Sequence, residues 1–211
     1  MGCGTNIVPG FAEFDKKYKK DVRDPALEAK MSYELSKSGD TQVPNTIATY
    51  RKVKKKHFAG VKGSDMLDYG AGLGIAAEEF GMDSFEPYAK EGFTPNYTEA
   101  SQIDKKYKGI ISNAVINVLP MEQRVEAVQN IGGSLAVGGK AVVMSRKTTD
   151  LDSLKNPQPY EDGVITQGKG TFQKGFGYDE VLNFVKSILG PDYSVVKTGV
   201  GSNGLLITRL K

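Results

Sequence analysis

The chain has 211 residues, 39% of them hydrophobic and 25% charged, with a formal net charge of +3. That length builds one α/β core and is short for two full domains. The single cysteine, Cys3, excludes an internal disulfide and a cysteine-rich zinc site, and no run approaches the roughly 20 apolar residues of a membrane span.

Residues 1–43 are polar and helix-leaning, interrupted by Pro25 and Gly39. After Pro44, the spacing of Ile47, Tyr50, Val53 and Phe58 predicts a helix with one apolar face. From there strands and helices alternate. Met66–Tyr69 reads as a buried strand, Ile75–Phe80 as a helix, and Asp83–Pro87 as a second strand stopped by its proline. A short third strand is expected within 92–97, although Pro95 weakens it. Tyr107–Asn113 is a buried strand. Met121–Ala136 is an amphipathic helix with Val125, Val128, Ile131 and Leu135 inward, and 138–145 is a turn followed by a strand. Residues 146–176, rich in Gly, Pro, Thr and Lys, read as a long irregular insertion. Tyr178–Leu189 is a helix, and Tyr193–Thr198 and Leu205–Leu210 are strands joined across glycines. The pattern predicts a Rossmann-like three-layer α/β sandwich, its sheet mostly parallel with an antiparallel C-terminal strand. Residues 1–60 would form a helical N-terminal extension or lid, and 61–211 the main domain. The polar N-terminus does not read as a signal peptide, so a cytoplasmic location is expected.

The chemistry concentrates where the first predicted strand ends, in Leu67-Asp-Tyr-Gly-Ala-Gly-Leu-Gly74. Glycines at 70, 72 and 74 permit positive φ and a close approach of backbone to ligand. Phosphate loops and dinucleotide folds share such turns, so the turn alone does not discriminate. Asp68 does: a carboxylate at that strand end repels a pyrophosphate and suits an ammonium group, as in S-adenosylmethionine. The alternative is that Asp68 caps the turn. Glu86 follows the first glycine at a distance suited to binding ribose hydroxyls, a feature shared with NAD enzymes; otherwise it is an exposed strand-end carboxylate.

These features, in this order, resemble the class I S-adenosylmethionine-dependent methyltransferases. Their nucleotide motif is similar to residues 67–74, and their acidic strand-two residue to Glu86 in Phe85-Glu86-Pro87. Their fourth strand with its loop resembles Gly109-Ile-Ile-Ser-Asn-Ala-Val-Ile-Asn-Val-Leu-Pro120, and their turn before strand five Ala136-Val-Gly-Gly-Lys-Ala-Val-Val143. The likeness covers about residues 64–145. The segments Pro-Asn-Thr-Ile-Ala-Thr-Tyr-Arg51 and Thr171-Phe-Gln-Lys-Gly-Phe176 resemble methyltransferase domains encoded by bacteriophages. The resemblance implies S-adenosylmethionine as methyl donor, contacted by Asp68, Gly70, Ala71, Gly72, Gly74, Glu86 and Pro87. It also implies Gln102 and Ile103 at the adenine, with Ser112 and Asn113 at the methionine part. For 101–104 an ordinary polar loop is the alternative, and for Asn113 a turn role.

His57, the sole histidine, and Tyr50 are the candidate catalytic side chains, and Arg51 is a candidate partner for the methionine carboxylate. His57 and Arg51 read equally as parts of a charged helix surface. The DNA amino-methyltransferases that resemble this fold carry a Pro-Pro-aromatic run after strand four. Ser112-Asn-Ala-Val115 has none, so a small-molecule or protein acceptor is expected. Tyr160, Phe172, Gln173, Lys174 and Phe176 of the insertion are candidates for the acceptor pocket. Residues 1–60 hold 12 Lys/Arg against 7 Asp/Glu, which leaves RNA or DNA binding through the basic N-terminal third as one rival reading, and a non-catalytic S-adenosylmethionine-binding module as the other.

Overall fold

A computed structural model describes residues 47–167 and 170–211. The expectations placed on residues 1–46, including the helix-leaning start of the extension, lie outside the described residues. The chain opens with helix α1 (Ile47–His57), then strand β1 (Met66–Tyr69), α2 (Ile75–Phe80) and β2 (Asp83–Phe85). Strand β3 (Tyr107–Asn113), α3 (Met121–Ser134) and β4 (Leu135–Met144) follow. Three short strands, β5 (Gln158–Tyr160), β6 (Gly163–Ile165) and β7 (Phe172–Gln173), precede α4 (Tyr178–Leu189), β8 (Tyr193–Lys197) and β9 (Leu205–Arg209).

Six strands form one sheet in the order β2-β1-β3-β4-β9-β8. The pairs β1/β2, β1/β3 and β3/β4 are parallel, whereas β9 runs antiparallel to both of its neighbours. The expected Rossmann-like sandwich with one antiparallel C-terminal strand is therefore present. From β1 the chain crosses first to β2 on one side and then to β3 on the other. This reversal opens a crevice beyond the carboxyl ends of β1 and β3, where ligands bind in such sheets.

Alternation along the strands splits the core between the two faces. Met66, Ile111, Val142 and Met144 pack with Tyr50 and Val53 of α1, with Phe58 just past its end, and with Ala76 and Ala77 of α2. Leu67, Tyr69, Ile110 and Val143 pack with Ala127, Val128 and Ile131 of α3 and with Val181, Phe184 and Val185 of α4. The described part of the N-terminal extension is thus built into one layer of the sandwich.

The structure departs from the sequence reading in several places: β2 ends at Phe85 rather than Pro87, and β4 runs through Gly138 and Gly139, where a turn is expected. Within 92–97 there is no strand, only an isolated parallel bridge between Phe85 and Tyr97. Pro95 lacks a ladder donor, and the Asn96 side chain accepts from the Ser84 N–H at 2.9 Å, replacing a strand partner. Helix α3 ends at Ser134 rather than Ala136, because Leu135 already pairs with Tyr107 in the sheet. The 146–176 insertion is not irregular: β5, β6 and β7 form a second, antiparallel sheet.

That small sheet is fastened by a side chain that a surface reading of α3 passes over. Arg124 is fully buried. Its guanidinium donates to both oxygens of Asp162, at 2.7 and 3.0 Å, in the turn between β5 and β6. It also donates to the carbonyls of Ile116 (3.0 Å) and Leu119 (2.9 Å) in the loop after β3. Removing one partner of a buried pair strands the other charge, at a cost of about 3–5 kcal/mol. We expect urea denaturation to find Arg124→Ala less stable by that much. The double variant Arg124→Met/Asp162→Leu should be more stable than the single one.

Candidate functional site

Strand β1 ends at Tyr69 and the chain turns through Gly70–Gly74 into α2. Gly70 has φ +82°, and a Cβ there would run into the Val115 side chain. Gly74, the residue before α2, has φ +73° and faces the Phe93 ring. Both positions therefore require glycine. The turn is tied to β2, since the N–H groups of Gly70 and Ala71 both donate to the Phe85 carbonyl, at 2.9 and 3.0 Å. One residue beyond, Glu86 accepts from the Gly72 N–H at 2.7 Å and from the Tyr88 N–H at 3.1 Å. Burial pushes the Glu86 carboxyl above its ordinary pKa, and these two donors oppose the shift. The carboxylate keeps lone pairs for further donors, such as a pair of hydroxyl groups.

Asp68 is more exceptional. Its side chain has no exposed surface. One oxygen accepts from the Tyr50 hydroxyl at 2.6 Å, and the other has no partner. Burial raises its pKa to about 7; the Tyr50 hydrogen bond opposes this and the Glu86 charge adds to it. An unpaired buried carboxylate oxygen is costly, and a cationic ligand group would relieve it. Tyr50 is itself pushed well above its ordinary range, by burial first and then by Asp68, so its hydroxyl stays protonated and donates.

Asp68 and Glu86 line one cavity of about 410 Å³. Its wall runs from Tyr50 and Ala76 over the glycine turn to Pro87, then past 98–100 to α3. Of the residues singled out in the sequence, Tyr50, Asp68, Gly70, Ala71, Gly72, Glu86, Pro87 and Asn113 are in this wall. Next to Asn113, Ala114 is held at φ +61°, its N–H donating to the Met144 carbonyl at 2.9 Å. Such backbone is strained for a residue with a Cβ and persists only where its surroundings enforce it.

Others do not reach the cavity. Gly74 serves the turn into α2 from outside the wall. Ser112 lies wholly buried in β3, its hydroxyl without a partner. The Gln102 side chain is turned back on its own loop, accepting from the N–H groups of Thr98 (2.9 Å) and Glu99 (3.0 Å), and Ile103 packs on the core. Thr98, Glu99 and Ala100 line the cavity instead. Arg51 projects outward, 64% exposed, and pairs with Glu79 at 2.7 Å. His57 sits about 10 Å along α1 from Tyr50. Its neighbour Phe58 packs at Met66 and Gly109, near the amino ends of β1 and β3, away from the cavity. Burial and the charges of Lys56 and Lys140 lower the His57 pKa. Phe172, Gln173, Lys174 and Phe176 are buried within the insertion and its contacts, outside the cavity wall, as is Tyr160.

The sequence reading missed the α3 side of the wall, formed by Gln123, Glu126, Ala127 and Asn130. Their spacing of three and four marks one helical stripe. It was overlooked because its residues are mostly polar and the apolar stripe beside it claimed the inward direction. Among the described residues, no group of three or more His, Cys, Asp or Glu could hold a metal ion, and no helix is long and apolar enough to cross a membrane.

No protein-family model matches the chain. No curated protein matches it in sequence. Solved structures do match in fold. The amino pentose methyltransferase CalS10 of Micromonospora echinaspora, solved with S-adenosylmethionine, is 13% identical with a TM-score of 0.53. The match covers 91% of this chain and 100% of that one. DesVI of Streptomyces venezuelae is 16% identical with a TM-score of 0.52, over 90% of this chain and 98% of that one. The 1,6-didemethyltoxoflavin-N1-methyltransferase of Burkholderia thailandensis, solved with S-adenosylhomocysteine, is 14% identical with a TM-score of 0.55, over 90% and 91%. At these identities the likeness is one of fold.

Asp68 makes the protein's stability depend on pH in an unusual direction. A carboxyl whose folded pKa is raised costs folding free energy as pH climbs from its ordinary value near 4 to its folded value, about 7. Asp68→Asn removes that cost while leaving an oxygen for the Tyr50 hydroxyl. Chemical denaturation of the ligand-free protein should find the variant close to the wild type at pH 4. By pH 8 it should be more stable by roughly 2–4 kcal/mol.

Proposed function

We propose that the protein transfers a methyl group from S-adenosylmethionine to a small-molecule acceptor. The observation that carries the reading is the unpaired buried oxygen of Asp68, in one cavity with the hydrogen-bonded carboxylate of Glu86. An ammonium group at Asp68 and ribose hydroxyls at Glu86 complement the two carboxylates, whereas a dinucleotide would bring a pyrophosphate against them. When bound, the donor supplies a methyl group on a sulfonium sulfur, a leaving group that needs no proton. The chain's task is then to hold donor and acceptor in line and keep water out, and this positioning supplies much of the rate. Asp68, oriented by Tyr50, binds the ammonium; Glu86 binds the hydroxyls; the glycine turn lets the main chain approach. Tyr50, kept protonated, acts as a donor rather than a base, and His57 has no path to the cavity. The reaction therefore suits an acceptor that is already nucleophilic when neutral, such as an amine.

The small-molecule acceptor is supported by the neighbours of similar fold that act on an amino pentose and on 1,6-didemethyltoxoflavin. The rival acceptor is a nucleic acid held by the exposed lysines of α1, Lys52, Lys55 and Lys56. Its signature is binding that weakens steeply with salt.

Calorimetry tests the donor site directly. S-adenosylhomocysteine should bind and NAD should not, and Asp68→Asn or Glu86→Ala should each weaken binding about tenfold or more. The affinity should also fall as pH drops from 8 to 5, because Asp68 takes up a proton below about 7. Heat with NAD and none with S-adenosylhomocysteine would overturn the reading. With isotope-labelled donor and a cell extract, mass spectrometry should find the label in a small molecule. Label in RNA or DNA would transfer the acceptor to the rival.

A further inference from the structure

The charge of the cavity wall has one sign. Asp68, Glu86, Glu99 and Glu126 line it, and among the described residues no Lys, Arg or His does, although the whole chain carries a net +3. Cations on neighbouring elements are engaged elsewhere: Arg51 pairs with Glu79, Arg124 with Asp162, and Lys54 lies over the Phe80 ring. A cleft lined by one sign of charge focuses its field on whatever enters. The donor brings an ammonium and a sulfonium against one carboxylate of its own, which leaves negative charge on the wall in excess. Asp68 and Glu86 are buried and serve the donor, whereas Glu99 and Glu126 are exposed, at the mouth.

The mouth is also apolar. Six large hydrophobic side chains are exposed among the described residues, and three of them, Leu73, Ile75 and Tyr88, line this cavity. Single exposed apolar residues are ordinary, but three gathered at the entrance of a cleft mark a surface that a ligand covers.

Charge separates the possible acceptors. When a neutral amine attacks, the N–C bond forms as the C–S bond breaks, and the pair of the broken bond stays on sulfur. Positive charge passes from sulfur to nitrogen, and carboxylates facing the nitrogen stabilise it as it develops. An oxyanion would lose its charge in the same step and be repelled on the way in.

Resting on the methyl-donor reading above, we propose that the acceptor is an amine on an apolar body. Its nitrogen is drawn in by Glu99 and Glu126, and its body is seated on Leu73, Ile75 and Tyr88. It arrives as an ammonium ion, gives a proton to water at the open mouth, and leaves as the methylated ammonium. These five side chains determine specificity.

The test uses hexylamine, hexanol and hexanoate, which share one apolar body and differ in charge. Each is titrated by NMR into protein saturated with S-adenosylhomocysteine, so that Asp68 is already engaged. Hexylamine should bind about tenfold more tightly than hexanol, and hexanoate more weakly than either. Added salt should shrink the preference. The double variant Glu99→Gln/Glu126→Gln should weaken hexylamine by about three- to tenfold and leave hexanol unchanged. Leu73→Ser/Ile75→Ser should weaken hexylamine and hexanol alike, by about fivefold. Equal affinities across the three compounds overturn the proposal, as does an absence of hexylamine binding or a preference that survives in the glutamine variant. A serine variant that melts lower yet binds equally well assigns the mouth to another part of this chain and also overturns it. If S-adenosylhomocysteine itself fails to bind the wild type, the methyl-donor reading falls and this inference with it.

Discussion

A guanidinium without solvent, Arg124, is the interaction on which the upper part of the molecule depends. The loop after β3 must bring Val115, Val118 and Leu119 to the cavity wall, and this turns carbonyls of the same loop inward. Arg124 satisfies two of them, at Ile116 and Leu119, while Asp162 balances its charge. The guanidinium carbon also lies 5.2 Å from the Phe176 ring centre and 5.7 Å from that of Phe184, joining the insertion and α4 to the same point. Lys174 extends the network to Glu180 at 2.7 Å and donates its backbone N–H to the Asn117 carbonyl, also at 2.7 Å. Such a cluster is expensive to desolvate and stabilises only while every member is present. Its role here is positional: one side chain holds the β3 loop, α3 and the small sheet in register.

Asp68 and Glu86 show the opposite bargain. Both are buried at the switch point of the sheet, and burial raises both pKa values. Glu86 is compensated by two backbone donors, whereas Asp68 keeps one oxygen unpaired. A site that leaves a carboxylate unpaired in the free protein is arranged for a ligand that brings positive charge, and it gives up stability for that. Tyr50 links this economy to α1, because its hydroxyl partners Asp68 while its ring packs with Val53 and Phe58 in the core.

Much of the fold was readable along the chain because its signals are local. The apolar runs of β1 and β3, the glycine turn before α2 and the inward stripe of α4 each follow from the period of the residues involved. The insertion also held a local signal that the composition of its surroundings obscured. Glu161 and Asp162 form the two-residue turn, Gly163 opens β6 opposite Tyr160, and an Asp-Gly dipeptide at such a place is a turn signal. The bridge at Tyr97 was not readable as such, because it depends on the Asn96 side chain meeting Ser84 from another segment.

By itself the sequence determined the alternating α/β order, the turn at Gly70–Gly74 and the presence of acidic residues at the ends of its first two strands. These depend on backbone freedom and hydrophobic period, which neighbouring residues dictate. Only the tertiary structure decided which side chains share the cavity. Arg51 and His57 belong to the same helix as Tyr50, yet Arg51 turns outward to Glu79 and His57 lies near the far end of the sheet. Gln102 is spent on its own turn, while Gln123, Glu126 and Asn130, separated from the glycine turn by some fifty residues of sequence, line the same wall. The physical reason is that burial and partnership arise from packing between distant segments, and no local period records which of two polar stripes on a helix will meet a cavity and which will meet water.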